Sequence, residues 1–164
     1  MAITLNTTCQ DAACNAVVDR IDSGGGAGFI EFQHTAQNDT FNTLFTGLNY
    51  LAELLGRTAL QEEVLVVVLS EFTRTPKLNA DDGKDHWPVA SAMLFGAGVQ
   101  GGRTIGQTNT TLGADPVSLS TGRYDSDGVV PDYGNLIAGI LESTGVAAAD
   151  YLPDSAPYTA LFGG

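Results

Sequence analysis

The sequence predicts an α/β fold, a small and mainly parallel sheet with flanking helices. Three observations point there. Val64-Leu65-Val66-Val67-Val68-Leu69 is an unbroken β-branched and leucine run, the composition of a strand covered on both faces, as in a parallel sheet. Residues 41–55 place Phe41, Leu44, Phe45, Leu48, Leu51, Leu54 and Leu55 at i, i+3, i+4, i+7 spacing, an amphipathic helix directly before that run. Gly28 to Phe32 reads as a short strand ahead of the helix, which makes the three segments a β-α-β unit with a crossover helix.

In chain order, residues 8–22 predict a helix, with Ala12, Ala13, Ala16, Val17 and Ile21 on one stripe. Thr7 or Thr8 caps its start, and Ser23-Gly24-Gly25-Gly26 ends it. The strand at 28–32 follows, then the helix at 41–55, with Asp39 or Thr40 as N-cap and Gly56 as stop. Between the central strand and Pro88, the segment from Ser70 is polar and rich in Asp, Gly and Pro, a long loop. Ala90 to Phe95 is a second apolar strand. Residues 96–132 carry many Gly, Asp and Thr with little periodicity and fit a loop or short hairpins. Residues 133–145 predict a last helix with Leu136, Ile137, Ile140 and Leu141 inward. The tail to Gly164 is punctuated by proline and is expected to wrap the surface. A shift in composition near 28–35 separates an N-terminal helical segment, 1–27, from an α/β domain, 28–164.

Composition narrows the function. The 164 residues are 43% hydrophobic and 16% charged, enough to bury a core. With 19 Asp and Glu against 7 Lys and Arg, the formal charge is -12. That argues against nucleic acid, which needs a basic face, and against a polybasic membrane anchor. No apolar run reaches the roughly 18 residues of a membrane span. Met1-Ala2-Ile3-Thr4-Leu5 has neither a basic n-region nor a long apolar h-region, so it does not read as a signal peptide. The expected location is the cytoplasm, unless a signal outside this chain exports it. Cys9 and Cys14 would point about 140° apart on one helix, which reads as two small buried thiols rather than a disulfide.

Three segments are candidates for chemistry. In open α/β sheets, ligands bind beyond the carboxyl ends of the strands, where Ser70-Glu71-Phe72-Thr73-Arg74-Thr75-Pro76 follows the central run. A carboxylate followed by Arg can hold a metal or an oxyanion, or simply form a Glu71–Arg74 salt bridge. Asp81-Asp82-Gly83-Lys84-Asp85-His86-Trp87-Pro88 carries an Asp-His pair, a hard carboxylate and an imidazole suited to Zn, Mn or Fe. With His34 the only other histidine, a metal site from both histidines plus Glu71 or Asp85 is open. So is the plain reading of surface or capping imidazoles. Gly96-Ala97-Gly98-Val99-Gln100-Gly101 matches a dinucleotide fingerprint, but Gly102-Arg103-Thr104-Ile105-Gly106 is a poor helix start, so a glycine turn without nucleotide is expected. Asp125-Ser126-Asp127-Gly128 begins like a calcium loop without its terminal Glu and reads as a turn.

Taken together, Val66-Val67-Val68-Leu69-Ser70-Glu71-Phe72-Thr73-Arg74-Thr75-Pro76, then Gly83-Lys84-Asp85-His86-Trp87-Pro88, then Gly96 to Gly106 resemble the bacterial domain of unknown function 1501 family, placed in the alkaline phosphatase and sulfatase superfamily. Phe32-Gln33-His34-Thr35-Ala36-Gln37-Asn38-Asp39 resembles that family's upstream motif. The resemblance covers roughly residues 28–150 and matches the C-terminal part of the family. It implies a partial alkaline phosphatase-like fold and a metal-dependent ester hydrolase architecture. By position it implies His34, Glu71, Asp85 and His86 as ligands of a divalent metal and Arg74 as an anion-binding residue. Gln33 stands where the family has Asp, and Thr73 where it has Gly. The nucleophile and first metal-binding Asp of the superfamily have no counterpart in this stretch, so the resemblance implies little or no ester hydrolysis by the chain alone. Ala2-Ile3-Thr4-Leu5-Asn6-Thr7-Thr8 and Asp22 to Phe32 resemble the opening of small phage head decoration-like proteins, which implies instead a non-catalytic, virion-associated assembly protein. Under either reading the open edge of a reduced sheet calls for cover, and a homo-oligomer is expected.

Overall fold

The computed structural model describes residues 27–80 and 83–163, and of 27–37 the backbone alone. The elements are α1 (Ala27–Gly56), β1 (Leu65–Val68), β2 (Thr73–Arg74), β3 (His86–Trp87), β4 (Met93–Gly96) and α2 (Tyr133–Ser143). Turns of 3-10 helix occupy Ala59–Glu62, Ala148–Asp150 and Thr159–Leu161. The helix expected over 8–22, with Cys9 and Cys14, lies outside the described residues, and the boundary expected at 27/28 falls at their limit. The described residues form two compact units: 27–58 with 71–90, and 59–70 with 91–163.

The chain is mixed α and β, but its strands pair antiparallel, which corrects the mainly parallel sheet expected from the sequence. β1 pairs with β4 in the register Leu65↔Gly96, Val66↔Phe95, Val67↔Leu94, Val68↔Met93. β2 pairs with β3 as Thr73↔Trp87 and Arg74↔His86. The parallel reading required a strand at 28–32, and those residues are the first turns of α1. Among the described residues no strand precedes α1, and β1 after it pairs antiparallel with β4, so the β-α-β unit read from the sequence is not formed. The segment 27–56 contains no proline, and Phe29, Phe32 and Ala36 keep helical spacing, so nothing in it stops a helix. Asp39 and Thr40, expected as caps, lie mid-helix; the Thr43 hydroxyl donates to the Asp39 carbonyl at 2.9 Å. Gly56 ends the helix as expected. β1 is half-buried along its length rather than covered on both faces, as suits a strand of a two-stranded sheet.

The second unit holds the better-formed core. Val117 is fully buried, with Tyr158 and Ala160 against it and Ile105, Leu119 and Leu161 around them. Tyr158 and Ala160 belong to the tail expected on the surface. Arg103 ties that tail inward by donating to the Ala160 carbonyl, and the Ala160 N–H donates to Leu119 O at 2.9 Å. α2 begins with a capping box: the Asp132 side chain accepts from the Asn135 N–H, and Asn135 Oδ1 accepts from the Asp132 N–H. It buries Leu136, Ala138 and Gly139; Ile140 and Leu141 are half-buried as expected, whereas Ile137 is exposed. The loop before it closes through single bridges, Thr108↔Ala114, Val117↔Tyr124 and Val117↔Val129, the short hairpins the composition suggested. None of the helices among the described residues is long and apolar enough to cross a membrane.

Candidate functional site

The polar segment after β1 is more than a loop. Two Thr side chains and an Asx side chain turn it into a short hairpin. The Thr73 hydroxyl reaches two carbonyls of the opposite strand, Val89 at 2.6 Å and Trp87 at 3.3 Å. The Thr75 N–H donates to Asp85 O at 2.9 Å, and the Thr75 hydroxyl accepts from Asp85 N at 3.2 Å. At the turn, Asn79 Oδ1 accepts from Gly83 N at 2.8 Å, and its amide donates to Asp85 Oδ1 at 3.0 Å. Side-chain to backbone bonds of this kind replace the apolar face that a two-residue ladder lacks.

The register decides which side chains meet. Arg74 stands directly opposite His86. Phe72, two residues before Arg74, lies on the same face of the extended chain. Its ring stacks on the His86 imidazole at 3.9 Å between centroids and 20° between planes. The Arg74 guanidinium carbon sits 5.3 Å from the centre of the same ring, within cation–π range. Arg74 Nη1 also donates to the Lys84 carbonyl at 3.2 Å. The hairpin thus gathers a guanidinium, an imidazole and an aromatic ring. Phe72 and Asn79 were not singled out by sequence; the i, i+2 relation of Phe72 to Arg74 is the one signal that points to it.

Of the residues expected at a metal, Arg74's neighbours Asp85 and His86 lie on the hairpin and Glu71 is exposed just before β2. His34 is in α1, its side chain outside the description. Asp85 and His86 are consecutive in an extended segment, so their side chains leave opposite faces. Among the described residues no three His, Cys, Asp or Glu side chains converge as a metal cluster would.

Residues 31–124 match the family model described as protein of unknown function (DUF1501). The chain belongs to the DUF1501 family. The match takes in the hairpin, β1, β4 and the glycine-rich stretch of this DUF1501 protein. No curated protein and no solved structure matches the chain significantly.

The other motifs have local explanations. β4 ends at Gly96, with a positive φ of 103°, where a Cβ would lie 2.1 Å from the Val64 carbonyl oxygen. That close approach requires glycine. The glycines that follow are turns with no helix after them, as expected. Asp125 to Gly128 is likewise a turn: Asp127 N donates to Asp125 Oδ1 at 3.0 Å, and Gly128 N to Asp125 O at 3.0 Å.

Proposed function

We propose that the hairpin of this DUF1501 protein is an oxyanion-binding element of an alkaline phosphatase/sulfatase-like fold, and that the 164 residues alone hydrolyse esters little or not at all. The observation that supports the reading is the register Arg74↔His86 with Phe72 packed against both. A guanidinium is a planar fork of donors suited to phosphate or sulfate, and in Arg74 one of them, Nη1, already donates to the Lys84 carbonyl. The imidazole on the same face adds a second hydrogen-bonding group, and the stack on Phe72 holds its ring in place. Arg74 binds the anion, and His86 orients it.

A divalent ion (Zn, Mn or Fe) is part of the proposal in a narrower form. Asp85 and His86 do not fit one ion together, because they leave opposite faces and Asn79 already engages the Asp85 carboxylate. An ion at His86 would have to draw its further ligands from elsewhere, His34 and Glu71 being the remaining residues the resemblance implies, and no catalytic step is derived through it. Phosphate titration of the wild type and of Arg74→Lys and Arg74→Ala tests the anion reading. Saturable binding that weakens about tenfold in Arg74→Ala, or ~1.4 kcal/mol, with Arg74→Lys intermediate, supports it. Elemental analysis of the wild type and His86→Ala tests the metal.

A second reading, a non-catalytic and virion-associated assembly protein, is favoured by α1. Phe41 and Phe45 are 54% and 48% exposed, and their rings stack at 6.3 Å. Aromatic pairs left in water in this way commonly mark surfaces that association covers. The resemblance to decoration-like proteins rests mainly on residues outside the description. Absence of both phosphate and metal binding, with a stable higher-order assembly, would decide for this reading.

A further inference from the structure

The β1–β4 ladder leaves a defined set of backbone groups pointing away from the sheet. In an antiparallel pair, opposed residues alternate between those that exchange hydrogen bonds and those whose N–H and C=O point outward. Ala97 N donates to Val64 O at 3.0 Å, and the Gly96 carbonyl accepts from Val99 rather than from β1. Leu65↔Gly96 is therefore a non-bonded pair, Val66↔Phe95 a bonded one and Val67↔Leu94 non-bonded. It follows that the N–H and C=O of both Leu65 and Val67 face outward. Among the described residues they take no partner. The run Val64 to Leu69 holds no charge and no proline, and no bulge turns β1 away. Proteins rarely leave such an edge undefended.

We propose that a second copy of this chain covers that edge, β1 pairing antiparallel with its own copy about a two-fold axis to make one four-stranded sheet, β4-β1-β1-β4. The proposal stands apart from the anion reading and fixes the interface that the expected homo-oligomer lacks. Two-fold symmetry requires a self-complementary patch, and the outward groups supply one. With Val66 on the axis, Leu65 faces Val67 of the second copy and Val67 faces Leu65. All four outward groups on each strand are then satisfied. Val64 faces Val68, so the cross-strand pairs are apolar throughout. Glu63 falls opposite Leu69 and Glu62 opposite Ser70, so no like charges meet, although the chain carries a net charge of -12. Other registers leave outward groups unpaired.

The register makes the test specific. On a Cys9→Ser, Cys14→Ser background of the full chain, Val66→Cys places two thiols in a non-bonded antiparallel pair with Cα atoms about 4.5 Å apart, within disulfide reach. Val68→Cys places them several residues apart. Mild oxidation is expected to give a covalent dimer from Val66→Cys and none from Val68→Cys. Val67→Pro removes an outward N–H while leaving the β4 ladder its bonds, and is expected to yield a monomer with an unchanged circular dichroism spectrum. A wild type that is monomeric by light scattering overturns the proposal. So does a dimer in which Val66→Cys fails to crosslink, whether or not Val67→Pro folds.

Discussion

α1 and α2 solve the same problem in opposite ways. α2 has 11 residues, a reciprocal cap at Asp132 and Asn135, and a face buried so closely that Gly139 backs onto Tyr158. α1 has 30 residues, yet among its described side chains Leu48 and Leu55 are the only large apolar ones buried, while Phe41, Phe45, Tyr50 and Leu54 are exposed. Length is no measure of how well a helix is anchored; the packed face is. The same contrast runs through the two units. The second unit contains the core around Val117, and the first carries the polar hairpin of the proposed anion site, with Arg74 and His86.

The largest effect expected from this contrast is at Val117, which is 0% exposed. Val117→Asp buries an unpaired charge and should cost about 4 kcal/mol or more, measured by urea unfolding. Next is Gly139→Ala. Its Cβ would lie 2.7 Å from the Tyr158 carbonyl oxygen and 3.0 Å from its nitrogen, so a loss of about 1–3 kcal/mol is expected.

Tyr158 gives a smaller, pH-dependent effect. Its hydroxyl is buried without a hydrogen-bond partner among the described residues. Burial raises its pKa, with Arg103 pulling the other way. The folded state then holds the phenolic proton more tightly than the unfolded chain. That contribution is complete below the unfolded value, about 10, and is lost as pH rises through the folded one. Tyr158→Phe should raise the melting temperature at neutral pH, by the equivalent of about 1 kcal/mol, and flatten its fall in alkali. The smallest effect belongs to α1. The double substitution Phe41→Ser, Phe45→Ser should change monomer stability by about 0.5 kcal/mol or less. A loss of several kcal/mol would break the contrast by showing that these rings are anchored.

What the sequence disclosed follows the same division. Long periodic or unbroken apolar segments were legible: the run at 64–69 became β1, residues 90–95 overlap β4, and 133–145 became α2. Strand direction was not, because it hung on Gly28 to Phe32, whose aromatic and β-branched residues fit a strand or a helix equally well at that length. The proline-punctuated tail concealed a core contribution, because Tyr158 and Ala160 lie in a stretch that carries no periodic pattern. At the site, residue types were legible and their partnership was not. Nothing in the spacing of Arg74 and His86 states that they oppose each other. The hairpin that aligns them is held by Thr73, Thr75 and Asn79 through bonds to the backbone, which leave no hydropathy signal.

The most direct test of the anion-binding account is a nuclear magnetic resonance titration of the full chain with inorganic phosphate. Saturable shifts confined to the His86 ring and the Arg74 Nε–H, lost in Arg74→Ala, are predicted. No saturable shift at either group, or shifts that persist unchanged in Arg74→Ala, would contradict it.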